Sequence, residues 1–154
     1  MIRALHHIGI AVHSLDEALP RWVDGLGLEL IGIDEVPAEQ VRVAVLRAGP
    51  TRIELLEPTE ADSPVGKFLA KKGPGIHHLA LQTEDVDAEV GHLRDRGAQV
   101  IGKGVGPGAH GTRVAFLHPK SNDGVLTEIV EDPHHPADQP ATGSNGGTAA
   151  GGGR

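Results

Sequence analysis

His6-His7-Ile8-Gly9-Ile10-Ala11-Val12 recurs as His77-His78-Leu79-Ala80-Leu81-Gln82-Thr83, and this recurrence decides the fold. The offset is 71 residues. At the same offset Ser14 meets Asp85, Trp22 meets Leu93, and Val41-Arg42-Val43-Ala44-Val45-Leu46 meets Thr112-Arg113-Val114-Ala115-Phe116-Leu117. Ile53-Glu54-Leu55-Leu56-Glu57 then matches Thr127-Glu128-Ile129-Val130-Glu131, with one loop of the second half three residues longer. One such match could be chance; four in the same order identify a duplicated module.

Each half reads strand, helix, then further strands. In the first strand Ile8, Ile10 and Val12 share one face, and His7, Gly9 and Ala11 the other, because side chains alternate along a strand. Leu79 and Leu81 fall opposite His78 and Ala80 in the second half. The apolar face is expected beneath a helix, and the small-residue face with its histidine is expected to line a cavity. By the same alternation His6 and His77 point away from His7 and His78, in a structural or ligand-supporting role. Ser14-Leu15-Asp16-Glu17 forms a capping box. It opens a helix carrying Leu15, Leu19, Trp22, Val23 and Leu26 and closed by Gly25 or Gly27. Pro20 inside that helix should kink it or shift its start. Asp85 caps a second helix with the stripe Val86, Val90 and Leu93, stopped by Gly97. Further strands are expected at Val41–Leu46, Arg52–Leu56, Arg113–Leu117 and Leu126–Val130, and a short helix across Pro64–Lys72.

Composition narrows the class of function. Of 154 residues 38% are hydrophobic and 2% aromatic, so the core is aliphatic. One Trp, two Phe and no Tyr leave almost no platform for stacking bases, and a formal net charge of −7 disfavours polyanions, so no nucleic-acid partner is expected. The absence of Cys excludes disulfides, thiolate metal sites and a cysteine nucleophile. No apolar run reaches the ~18 residues of a membrane span, and the first residues do not read as a secretory signal. A soluble, cytoplasmic protein with no membrane partner is expected. One domain covers residues 1–132, with module one at about 4–58, a junction helix at about 62–72 and module two at about 75–131. Residues 133–154 lack bulky apolar side chains and read as a disordered tail, His134 and His135 included as solvated side chains.

The repeat singles out two equivalent pairs, His7 with His78 and Glu54 with Glu128. A carboxylate between apolar strand neighbours is costly to bury unless it is paired or metal-bound. A single strand histidine or glutamate is usually a satisfied core residue or a solvated one, as expected for Glu57 and Glu131. Recurrence at equivalent positions argues otherwise, and two imidazoles with two carboxylates suit a divalent cation: Co²⁺, Zn²⁺, Mn²⁺, Fe²⁺, Ni²⁺ or Mg²⁺. Six-coordination would leave two positions for substrate oxygens. The glycine-rich stretch from Gly102 to Gly111 lacks the Gly-Lys-Ser/Thr of a phosphate loop and reads as a connector or a mouth-lining lid.

These residues resemble the vicinal oxygen chelate superfamily and, within it, the methylmalonyl-CoA epimerase family. The resemblance spans Leu5 to about Glu131 and rests on HHIGIAV at 6–12, IELLEP at 53–58, SPVGKFLAKK at 63–72 and GIHHLAL at 75–81. Its most specific part is GAHGTRVAFLHPK from Gly108, followed by GVLTEIV ending at Val130. The resemblance implies an α+β fold of two tandem βαβββ modules forming a cupped mixed β-sheet with flanking helices. It implies a metal held by His7, His78, Glu128 and Glu54, with cobalt favoured, an acyl-CoA substrate and a homodimer. The implied activity is that of an isomerase, interconverting (R)- and (S)-methylmalonyl-CoA through a metal-stabilised enolate in propionate metabolism. Glu128 is the expected catalytic base. Some members of the family carry a second acid/base glutamate where this chain has Val43. The partner base is therefore open between Glu54, His110 and His118, and His118 with Lys120 could instead contact the CoA portion.

Glyoxalase-type isomerisation would use the same platform. Ring-cleaving dioxygenation would be obstructed by Glu54 as an extra ligand. A metal-free small-molecule-binding protein would leave four recurrent polar residues idle and lacks the aromatics to line its cavity.

Overall fold

The structure is a computed structural model in which residues 1–135 are described. The predicted tail lies outside the described residues from position 136 onward. Eight strands form one curled mixed sheet in the order β2-β3-β4-β1-β5-β8-β7-β6. They are β1 (Ile2–Ala11), β2 (Glu29–Val36), β3 (Val41–Ala48), β4 (Thr51–Pro58), β5 (Gly75–Thr83), β6 (Gly106–Pro107), β7 (Arg113–Leu117) and β8 (Thr127–Glu131). Three α-helices accompany them: α1 (Leu15–Leu19), α2 (Pro64–Lys72) and α3 (Val86–Asp95). β1 pairs parallel with β4, β5 pairs parallel with β8, and β1 and β5 join antiparallel at the centre. That arrangement is the pseudo-twofold expected of a duplicated module.

One face of the sheet carries α1 and α3. Ile10, Val12, Ala44, Leu46 and Leu55 pack against Leu15, Ala18 and Trp22 of the first helical segment. Val86 and Val90 of α3 pack against Ala115, Leu117 and Ile129. The opposite face holds a second apolar cluster: Ala11, Val43, Val45 and Leu56 with Val65 and Leu69 of α2. The expected aliphatic face beneath helices is formed by α1 and α3, while α2 packs on the histidine-bearing face.

Local signals act as read, with informative exceptions. The Ser14 hydroxyl accepts from the Glu17 N–H and the Asp85 carboxylate from Ala88, and the structure adds a third cap, the Ser63 hydroxyl accepting from Gly66. Pro20 ends the α-geometry of the first helix, and Pro20–Gly25 continues as a wider π-type turn, because proline has no N–H to donate. β2 escapes detection by alternation: Leu30, Ile31 and Ile33 are all exposed on this edge strand, which is bulged between Leu30 and Gly32. In module two the matching strand shrinks to Gly106–Pro107, within the glycine-rich stretch. Ala109, in that stretch, packs against the module-one cluster, and the His110 N–H bonds the Asp34 carboxylate of β2 at 2.9 Å.

Two expectations are corrected. Glu57 and Glu131 are partly buried, and each accepts the N–H that begins its module's helix, Leu15 at 2.7 Å and Val86 at 2.9 Å. A carboxylate satisfies the orphan donors of a helix start and is favoured by the dipole. His135 is not simply solvated either: its carbonyl accepts from the Gln82 amide and its ring lies 5.4 Å from that of His6. Glu57→Ala is expected to destabilise the protein by about 1–2 kcal/mol, measured by urea unfolding followed by circular dichroism.

Candidate metal centre

β1 and β5 place the two histidine pairs beside each other at the middle of the sheet. Strict alternation would send His6 and His77 to the helix side, but both strands are bulged there. Leu5 pairs with Leu81 and His7 with Ala80, leaving His6 as an extra residue; Gly9 pairs with His78 and Ile10 with Ile76, leaving His77 extra. A bulge breaks the period of two and re-aims the side chain. As a result His6 Nδ1 meets His7 Nδ1 at 2.7 Å, and His77 Nδ1 meets His78 Nδ1 at 3.0 Å. The prediction that they point away is overturned by these bulges.

Three of the four sequence-predicted ligands, His7, His78 and Glu128, form one cluster, and Glu54 joins it through His7, with which it and His6 form a second group. His7 Nε2 and His78 Nε2 are 3.0 Å apart. Glu128 Oε2 lies 3.1 Å from His7 Nε2 and 2.8 Å from His78 Nε2, and Glu54 Oε2 lies 3.3 Å from His7 Nε2. All four residues are buried. Register explains the convergence: Gly9 is flanked by Glu54 on β4 and His78 on β5, and Ala80 by Glu128 on β8. Glycine at position 9 is a steric requirement, since a Cβ there would lie 2.1 Å from the His78 ring.

The electrostatics are those of a cluster that balances its own charge. Burial disfavours the His7 imidazolium, but Glu54 and Glu128 outweigh it and raise its pKa to about 9. Burial also opposes ionisation of Glu128, yet His7 and His78 hold it well below the usual carboxylate range. His77 is pushed down to about 4, first by burial and then by His78. Behind His7, Asp132 accepts from His6 Nε2 at 2.9 Å and from Arg52 at 3.1 Å. Burial opposes its ionisation, but the His6 bond, the His134 N–H and Arg52 keep it strongly ionised. A carboxylate can only accept, so His6 donates through Nε2 and accepts through Nδ1. His7 therefore donates from Nδ1, and its Nε2 faces the cluster.

His7, His78 and Glu128 fit one divalent ion, with Glu54 beside His7 as a fourth donor candidate. Donors held about 2.1 Å from an ion at right angles would stand about 3.0 Å apart, close to the spacings found here. Two nitrogens, two carboxylate oxygens and no sulfur suit a borderline or hard cation, and binding would displace the proton that His7 otherwise holds. Among the described residues, neither His110 nor His118 belongs to a metal-competent group. His110 is tied through its backbone to Asp34, and His118 Nδ1 accepts the Lys120 N–H at 3.1 Å. Val43 is buried opposite Leu56. Asp132 escaped the repeat comparison because Pro58 stands at its counterpart.

A fold of two such modules around a buried His/Glu centre defines a class. A family profile described as Glyoxalase/Bleomycin resistance protein/Dioxygenase superfamily matches residues 6–116, and the chain belongs to this superfamily. Within it, the chain is similar to methylmalonyl-CoA epimerases. It is 40% identical over 133 residues to the ethylmalonyl-CoA/methylmalonyl-CoA epimerase of Cereibacter sphaeroides, covering 85% of this chain and 99% of that one. It is 36% identical over 128 residues to the mitochondrial methylmalonyl-CoA epimerase of Homo sapiens, covering 82% of this chain and 73% of that one. It superposes on a variant of Streptomyces coelicolor methylmalonyl-CoA epimerase, in complex with 2-nitronate-propionyl-CoA, with a TM-score of 0.82 and 40% identity. That match covers 84% of this chain and 97% of the other.

Because His77 takes up its proton near pH 4 in the folded chain and near 6.5 when unfolded, the unfolded state binds more protons between these values. Its contribution to stability is therefore complete above about 6.5 and lost as pH falls toward 4. In metal-free protein His77→Asn should remove this part of the acid dependence, read as the wild-type-minus-variant difference in urea midpoint across that range.

Proposed function

We propose that this chain interconverts the (R) and (S) forms of methylmalonyl-CoA, and that His7, His78, Glu54 and Glu128 hold the divalent cation the reaction uses. The observation that carries this reading is the convergence of His7, His78 and Glu128 on one another at 2.8–3.1 Å. It occurs in a chain 36% and 40% identical to named epimerases of this substrate. When bound, the cation would stabilise negative charge developing on the thioester oxygen, worth several kcal/mol.

The protein's own groups do the rest. Glu128 is ionised and buried, so it is in the form that can take the α-proton. Epimerisation breaks one C–H bond, places its electron pair on the thioester oxygen, and forms a new C–H bond on the opposite face. Phe116, whose ring stands 5.6 Å from that of His78, and the apolar cluster with Val43, Val45 and Leu56 would keep water from the reacting carbon and suit a methyl substituent. One further methylene discriminates weakly in such a wall, so ethylmalonyl-CoA is a second substrate of the same site. We assign Co²⁺ as the favoured ion and a homodimer as the assembly. The exposed apolar edge Leu30, Ile31 and Ile33 supports the latter.

Metal-stripped protein is expected to lose α-deuteration of methylmalonyl-CoA in D₂O and to regain it with Co²⁺, read by proton NMR. Glu128→Gln should lower turnover about 100-fold or more. Unchanged turnover after metal removal would refute the reading, and isomerisation of a glutathione hemithioacetal instead would reassign the chain to glyoxalase chemistry. Gly9→Ala, which drives a methyl group into the His78 ring, should weaken Co²⁺ binding about 10-fold or more, measured by calorimetric titration.

A further inference from the structure

His6 forms a group with His7 and Glu54 that could itself hold an ion, yet both of its ring nitrogens are already engaged. Nε2 meets Asp132 Oδ2 at 2.9 Å, and Nδ1 meets His7 Nδ1 at 2.7 Å. Behind His6 the partners close on one another. Asp132 Oδ2 also accepts from Arg52 at 3.1 Å, and Oδ1 accepts from the His134 N–H at 2.9 Å. His6, His7 and Asp132 are 1%, 3% and 8% exposed, so water does not compete for these bonds. The strands explain the assembly. β4 carries Arg52 two residues before Glu54, and Asp132 follows directly on β8, four residues after Glu128. Even spacing along a strand keeps side chains on one face. Each flanking strand therefore sends one group to the ligand side of His7 and one to its rear.

Module two has no counterpart of this set. The offset that matches Glu54 to Glu128 also matches Arg52 to Leu126 and Pro58 to Asp132. His77 meets His78 through Nδ1 at 3.0 Å and packs its ring against Phe68, and among the described residues no carboxylate hydrogen-bonds to it. The two histidine pairs share a contact, but only one of them has its direction fixed.

A neutral imidazole that offers Nε2 to a cation must keep its proton on Nδ1. The Asp132 carboxylate, paired with Arg52, can only accept, and this sets every proton that follows. His6 donates from Nε2 and is left with a lone pair on Nδ1. His7 donates into that lone pair and is left with Nε2 for the ion. We propose that Asp132 is a positioning residue: acting through His6, it holds His7 in the metal-ready tautomer and makes it the pre-set ligand of the centre, whereas His78 takes its tautomer from the ion. The proposal rests on the reading of His7 as a metal ligand. It also makes His6 a support for the centre and not a donor to a second ion.

Two measurements test the relay, one without the ion and one with it. In metal-free wild type, long-range proton–nitrogen-15 NMR of the imidazole rings should find the His6 proton on Nε2 and none on Nδ1. In Asp132→Ala that preference should be lost, and Co²⁺ affinity by calorimetric titration should fall about 10- to 100-fold. Asp132→Asn, of the same size, should lose less, because its amide oxygen can still accept from His6. Substitution behind the two ligands should also be unequal: His6→Phe should cost more Co²⁺ affinity than His77→Phe. Circular dichroism and urea midpoints establish that each variant folds. An Asp132→Ala protein with a lowered urea midpoint and wild-type Co²⁺ affinity would mark a structural role and overturn the assignment. A His6 proton on Nδ1 in the wild type would overturn it too, and decides the matter even where Asp132→Ala does not fold. Equal losses from His6→Phe and His77→Phe would overturn the asymmetry. A wild type that binds no Co²⁺ would overturn the reading of the centre and this role with it, and the His6 tautomer distinguishes that outcome from failure of the relay alone.

Discussion

Two imidazoles and two carboxylates are buried together in an otherwise aliphatic sheet, and no one of them is tolerable there without the others. Isolated, an ionised Glu128 or a protonated His7 would carry a large desolvation cost. Together, each answers the charge of its neighbour, which is why Glu128 stays ionised and His7 stays basic despite complete burial. A divalent cation would take over the same balancing role with greater strength. The remaining features of the fold hold His7, His78 and Glu128 together, with Glu54 against His7. The central β1–β5 pairing aligns the two modules, Gly9 leaves space for the His78 ring, and the flanking parallel strands bring in one carboxylate each.

The paired bulges give the centre its outer layer. Each makes the first histidine of a His-His pair an extra residue in its strand and turns it toward its neighbour. A ligating histidine normally donates its second ring N–H to a fixed partner, which sets its tautomer. Here that partner is another histidine, in both modules. The supports then diverge. His6 is backed by Asp132 and Arg52, whereas His77 packs against Phe68 and is held neutral by burial and by His78. Duplication thus laid down a symmetric inner layer, and the outer layers specialised.

The asymmetry extends to the rims. Module one has a full edge strand, β2, and a tight turn bearing Glu39. Module two has only Gly106–Pro107 and a glycine-rich loop that reaches across to Asp34 and to the module-one cluster. A symmetric pair of modules would present the same group to both faces of a substrate. The unequal rims break that symmetry, with the carboxyl of Glu39 standing where module two has His110.

Much of this was legible in the residues themselves. The repeat of HHIGIAV as HHLALQT, with Glu54 and Glu128 at matching places, located all four central groups, because two copies of a pattern survive where one would be lost among ordinary strand residues. Ser14 and Asp85 marked their helix starts because capping is a local interaction. What the residues could not reveal depends on registers and distant contacts. The bulges reversed the facing of His6 and His77, since alternation assumes an unbroken ladder. Glu57 and Glu131 read as solvated because their partners, the N–H groups of Leu15 and Val86, lie 42 and 45 residues away. Asp132 has no like-charged counterpart in the other module, so only the closing of the sheet brings it behind His7 through His6. Sequence determined which groups would be paired, through periodicity and duplication; tertiary structure decided what each one faces, because that is set by strand register and by chain segments far apart in order.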